Sequence, residues 1–226
     1  MLKLRALVVF SFVLAALQIR TSSADTVYSD FTTGNPTYNL SAGWNLSGSS
    51  NPISFEDAMS FTPTADYSFV AADLAVSLIS GTNSLTVTIN ADVSNLPGTV
   101  LDTLTLTSSM GPFGSNNPLL VADPETPLTL HSGVTYWLVV SATDSTYASW
   151  NDNNSPSDIY DGWQNRNGAG WVELTGSANP TAAFSIIGTE VKAVPEPASI
   201  ALFGTGMLSV IGLHLMRKRQ AAKRSA

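Results

Sequence analysis

Side chains able to do covalent or acid–base chemistry are sparse in this sequence. His131 is the only histidine between Asp25 and Ala193. It precedes Ser132-Gly133 at a turn, and no Gly-x-Ser-x-Gly elbow accompanies it, so a Ser-His-Asp hydrolase has little support. Glu56 and Asp57 are adjacent, but neighbours in a strand point to opposite faces and do not form a glycosidase pair. Glu125 and Glu173 would meet only through the tertiary fold. There is no cysteine, which removes thiol catalysis, thiolate metal binding and disulfides together. These residues argue against an enzyme.

Two other constellations suggest binding. The stretch from Asp144 to Asp161 collects Asn151, Asp152, Asn153, Asn154 and Asp158, an oxygen-ligand density that suits Ca²⁺. EF-hand spacing is absent: counting from Asp152, no Gly stands sixth and no Glu twelfth. Asn and Asp also favour turns for backbone reasons, which is the plainer explanation. The expectation is no required cofactor, with Asp152, Asp158 and Asp161 as the ligands a structural Ca²⁺ would take. The same region holds Tyr147, Trp150, Tyr160, Trp163 and Trp171. Aromatic rings on polar loops stack on sugars, and Tyr160 with Trp163 is the best-placed pair for a glycan platform. Trp150 and Trp171 read more simply as core residues at strand ends.

The elements that position these groups read as β-strands. Asp25–Ala193 is rich in Thr, Ser, Val, Gly and Asn, with short alternating runs cut by turn residues. Leu85–Ala91 alternates with period 2 throughout, and Val134–Val140 is apolar almost throughout, as a central strand covered on both faces would be. Tyr67–Ile79 predicts one strand with a bulge near Ala72-Asp73. Gly81-Thr82-Asn83 predicts a hairpin turn, Leu96-Pro97-Gly98 another turn, and Asn151–Asn167 a long loop. Ten or so short antiparallel strands over roughly 170 residues fit an all-β fold, a two-sheet jelly-roll-like β-sandwich.

The two ends of the chain have a different character. Lys3 and Arg5 precede the uncharged run Ala6–Leu17, and Ser22-Ser23-Ala24 offers small residues for cleavage between Ala24 and Asp25. Residues 1–24 therefore read as a secretory signal peptide. Residues 25–193 form the exported domain. Residues 194–226 hold Val194-Pro195-Glu196-Pro197, an apolar run Ala198–Met216 without Asp, Glu, Lys or Arg, and a basic tail. As a helix that run reaches about 28 Å, enough for one transmembrane span. The cations Arg217, Lys218, Arg219, Lys223 and Arg224 keep the tail cytoplasmic and act as a stop-transfer signal. Between Asp25 and Glu196 lie all 17 acidic residues but only two cations, Arg166 and Lys192, a net charge of −15. That surface excludes nucleic acid as a partner.

The order Val194-Pro195-Glu196-Pro197, apolar helix, Arg/Lys cluster resembles the PEP-CTERM sorting signal of Gram-negative bacteria. The resemblance implies recognition by an exosortase, a membrane cysteine transpeptidase, with cleavage near the motif. It also implies membrane anchoring before processing, then display at the cell surface or in an extracellular, biofilm-like polysaccharide matrix. A second resemblance spans Phe55–Trp150. FTPTADYSFVAADLAVSL, LPGTVLDTL and LTLHSGVTYWLVVSA are similar to the choice-of-anchor R type of exported domain, which implies a β-sandwich and no known activity. The sequence thus predicts a non-enzymatic exported surface or matrix protein. The alternative is a carbohydrate-binding sandwich module, stabilised by calcium if the acidic loop binds it.

Overall fold

A computed structural model describes residues 23–154, 162–174 and 180–192. The described chain is all-β and forms two sheets. Sheet A runs β1 (Asp25–Ser29), β14 (Phe184–Glu190), β4 (Tyr67–Leu74) and β8 (Leu120–Ala122), with β9 (Thr129–Leu130) also on β4. Sheet B runs β5 (Val76–Ser80), β11 (Tyr147–Asn153), β2 (Tyr38–Ser47), β3 (Phe55–Phe61), β10 (Tyr136–Ala142), β6 (Ser84–Asp92) and β7 (Pro97–Thr107). A hairpin of β12 (Trp163–Arg166) and β13 (Trp171–Glu173) adds to β3. All pairings between named strands are antiparallel, as a sandwich joined by short turns requires. β2 and β3 meet in register only at Ser47 and Phe55, so sheet B is joined there by a narrow seam.

The alternation read from the sequence builds the core. Leu85, Val87 and Ile89 of β6 are fully buried, and so are Leu138 and Val140 of β10. They meet Leu74, Phe184 and Ile186 from sheet A, with Trp44 and Trp150 filling the same interior. Tyr136–Val140 is buried at every position because β10 lies between β3 and β6 and is covered on both faces. Its outward residues Trp137 and Val139 pack with Ala58 into a second cluster.

Four local expectations are corrected. Tyr67–Ile79 is two strands in different sheets, because the chain crosses at Ala75, whose N–H bonds to Ala183 O while its carbonyl accepts from Asn151 N–H. The irregularity on β4 falls at Val70, skipped between the pairs Ile187–Ala71 and Gly188–Phe69, not at Ala72-Asp73. Gly81-Thr82-Asn83 does not close a hairpin: β5 pairs with β11, and β6 pairs with β7 and β10. The turn before β7 is Ser94-Asn95, both at positive φ and closed by Val93 N–H to Leu96 O, so Pro97 and Gly98 already belong to the strand.

The stretch Asn151–Asn167, read as loop, contributes to two strands, the end of β11 and all of β12. Asn167-Gly168 is the signal that locates β12. Both residues have positive φ, 55° and 68°, and Ala169 N–H closes the turn on Arg166 O. Asn-Gly between two short strands is the preferred two-residue hairpin turn.

The sandwich is compact to Val191, and Lys192 begins a separate unit. Asp25 pairs with Gly188, so the start of β1 lies beside the end of β14. Val191 N–H bonds to Asp66 O, Ser132 N–H to Asp66 Oδ1, and Gly133 N–H to Pro63 O. The exit of the chain, the turn at His131 and the far end of β3 therefore share one end of the sandwich.

Candidate functional site

The β12–β13 hairpin docks on β3. The register sets Trp163 against Ala58, Gln164 against Asp57, Asn165 against Glu56 and Arg166 against Phe55. Alternation then divides the side chains. Glu56, Ala58, Trp163 and Asn165 face outward, while Asp57, Met59 and Phe61 face the interior.

On the outward side, Glu56 is held by two donors. Ser141 Oγ donates to Glu56 Oε2 at 2.9 Å, and Asn165 Nδ2 donates to Oε1 at 2.7 Å. Asn165 is itself fixed, its Oδ1 accepting from Gly170 N–H at 3.1 Å. The hairpin turn is tied to the strand by Asn167 Oδ1, which accepts from Ser54 N–H at 2.8 Å. These groups enclose a cleft of about 210 Å³ whose walls include Ser47, Ser54, Phe55, Glu56, Ser141 and Asn165. Arg166 places its guanidinium 5.9 Å from the centre of the Phe55 ring.

The described aromatic residues of this region are packed to different degrees. Trp150 is fully buried in the main core, and its Nε1 donates to Ala183 O at 3.1 Å. Trp163 is half-buried and meets Trp137 edge to face, with ring centroids 6.2 Å apart at 90°. Trp171 packs partly buried against the same cluster of Ala58, Trp137 and Val139. Tyr147 is half-buried, and its hydroxyl lies 3.3 Å from Asn45 Oδ1. Tyr160 lies outside the described residues.

The acidic stretch is divided too. Asp144 occupies the exposed turn before β11 at φ 50°, while Asp152 lies near the other end of that strand, 1% exposed and facing inward. Asn151 is buried, accepting from Ser77 Oγ and donating to Asn39 O. Asn153 donates to Thr181 Oγ1. Among the described residues no group of three or more His, Cys, Asp or Glu could hold a metal ion. Asp158 and Asp161 lie outside the described residues.

Three carboxyl groups are buried, those of Asp57, Asp102 and Asp152. Asp57 is fully buried with Oδ2 unpartnered, and burial holds its pKa well above the usual carboxylate range; the bond from Gln164 lowers it and the Glu56 charge raises it further. Asp152 is pushed up to about 7 by burial, with its Oδ1 unpartnered among the described residues. No charge pattern marks Asp57 or Asp152. Their strand parity, opposite to Glu56 and in phase with Trp150 respectively, was the available signal.

His131 and Asp66 approach to 3.6 Å on an exposed turn. Ser132 Oγ donates to Thr64 O at 3.0 Å instead of to the imidazole. A nucleophile needs its base within hydrogen-bond reach, and this serine is committed to the turn.

Ala24 and Asp25, flanking the expected signal cleavage, are exposed at the start of β1. The motif at Val194–Pro197, the apolar run and the basic tail through Arg224 lie outside the described residues. A model of the PEP-CTERM protein-sorting motif matches residues 193–219. The chain carries a PEP-CTERM sorting signal. That signal implies export and processing by an exosortase. A comparison with curated proteins returns no match.

Proposed function

We propose that this PEP-CTERM protein is a non-enzymatic surface or matrix component whose β-sandwich works outside a Gram-negative cell, among extracellular polysaccharide. The match over residues 193–219 carries the reading, because it assigns the chain to a sorting route. The net charge of −15 between Asp25 and Glu196 keeps such a domain soluble and clear of anionic membrane. The likeness of Phe55–Trp150 to exported domains found with various anchors supports it as well. The test is intact-mass analysis of the protein from its own host, with and without the sorting enzyme. A mature chain from Asp25 to near Pro197, lost without the enzyme, is expected. Retention of Ile200–Ala226 in both strains would make the tail a plain anchor and overturn the reading.

A second reading, a carbohydrate-binding sandwich module, is favoured by the cleft beside Glu56. It gathers hydroxyl, amide and carboxylate groups, the donor and acceptor mixture that sugar hydroxyls require. The test is retention of the processed protein on a polysaccharide panel. Passage through every column would sink it.

A further inference from the structure

The carbohydrate reading leaves open where a sugar would sit and of what kind; the following rests on that reading. We infer that the cleft between Ser54-Phe55-Glu56 and the β12–β13 hairpin is a subsite for a single ring of a neutral glycan, with Glu56 as its principal acceptor.

The first argument is spare hydrogen-bonding capacity. An ionised carboxylate offers about four lone-pair sites. Ser141 and Asn165 use one on each oxygen and fix the group in place, which leaves about two to accept from a ligand. Sugar hydroxyls are donors that match them. Ser54 Oγ has only a long 3.4 Å contact to Asn167 Oδ1, so its hydroxyl can turn towards a ligand. Because Glu56 is already held, binding need not order it, and that lowers the entropic cost of recognition.

Size and charge narrow the class. At about 210 Å³ the cleft falls below the roughly 300–1,000 Å³ of sites for drug-sized molecules, so it holds one ring and leaves the rest of a polymer outside. Phe55 also borders the cleft, and its ring carries the Arg166 guanidinium 5.9 Å from its centre. Glu56 is the one charged group among the cleft walls, and it repels a uronate. A cationic polymer would be attracted to the whole acidic domain without needing this cleft.

Position agrees with this use. Phe61, at the other end of β3, leads to Pro63 and the end of the sandwich where the chain leaves at Val191. Glu56 lies five residues earlier, roughly 16 Å away along the strand. The cleft thus lies at the other end of β3 from Pro63 and Val191.

The experiment measures retention of the processed exported protein by affinity electrophoresis at about 0.15 M salt. The gels contain a neutral β-glucan, a glucosamine polymer or a polyuronate. Wild-type protein is expected to be retarded by the neutral glucan. Glu56→Ala should weaken that retardation about tenfold or more. Glu56→Gln keeps both internal hydrogen bonds, because a serine hydroxyl can accept as well as donate, and should weaken it several-fold with an unchanged unfolding midpoint. Equal retardation of the wild type and both variants would overturn the cleft as the site while leaving the carbohydrate reading in place. Retardation by the polyuronate instead of the glucan would overturn the neutral class. No retardation in any gel would overturn both the subsite and the carbohydrate reading.

Discussion

The side-chain amide of Gln164 donates to Asp57 Oδ1 at 2.9 Å inside the sandwich, and Asp57 Oδ2 has no partner. One bond does not satisfy a buried carboxylate, so the neutral acid is the favoured form there. Gln164→Ala would remove that bond and leave both oxygens unpaired. A loss of about 1–3 kcal/mol is expected, read from urea unfolding midpoints.

Raised carboxyl pKa values fix the sign of a pH effect. Asp57 and Asp152 are both shifted upward by burial, so the folded state holds their protons more tightly than the unfolded chain does. Their stabilising contribution is complete below the unfolded value near 4 and is lost as pH rises through the folded value, about 7 for Asp152. The wild type should therefore lose on the order of a few kcal/mol between pH 4.5 and 8. Asp152→Asn should flatten that slope and be the more stable protein at pH 8. Denaturant titrations across this range check it, and a wild type whose stability rises over the interval would contradict it.

Gly162 shows how closely the hairpin is seated. A Cβ there would stand 2.6 Å from Trp44 Cζ2 and Cη2 and 2.9 Å from Met59 Cε. The Met can yield, but the fully buried indole of Trp44 cannot easily do so. Gly162→Ala should cost about 1–3 kcal/mol, measured as a drop in the thermal midpoint. It should loosen the hairpin and with it the Asn165 side of the cleft.

Trp163 serves first as packing. Trp163→Ala would open space beside Trp137 and expose Ala58 and Val139, which it helps cover. A destabilisation of about 2–4 kcal/mol is expected, somewhat below a fully buried Trp because the side chain is only partly buried. Trp163→Phe should recover a good part of it. Calorimetry on both variants reads the packing role, and glycan-binding gels run below the unfolding range should leave Trp163→Ala retarded like the wild type.

The strands that alternate strictly were legible, and those whose burial depends on a partner were not. Leu85, Val87 and Ile89 show their parity in the sequence, and the apolar run at Tyr136–Val140 signals a covered strand. By contrast, nothing local indicates that the chain changes sheets at Ala75, because that is set by the meeting of Ala183 and Asn151 from remote strands. The strand Trp163–Arg166 was hidden among Asn, Gln and Arg, although Asn167-Gly168 announces its turn. The cleft joins residues more than a hundred positions apart, Glu56 and Asn165, and only the register of β12 on β3 brings them together.

The placing of β14 constrains how the exported chain acquires its shape. This final strand lies between the first strand and β4, with Phe184 and Ile186 completely enclosed. A chain emerging from its N-terminus has Asp25–Ser29 early but lacks their partners until Ser185 to Gly188 have followed. Pairings between such distant segments form late, since a long loop must close first. Translocation would thus deliver the strand that closes the interior only after nearly the entire domain has left the cytoplasm.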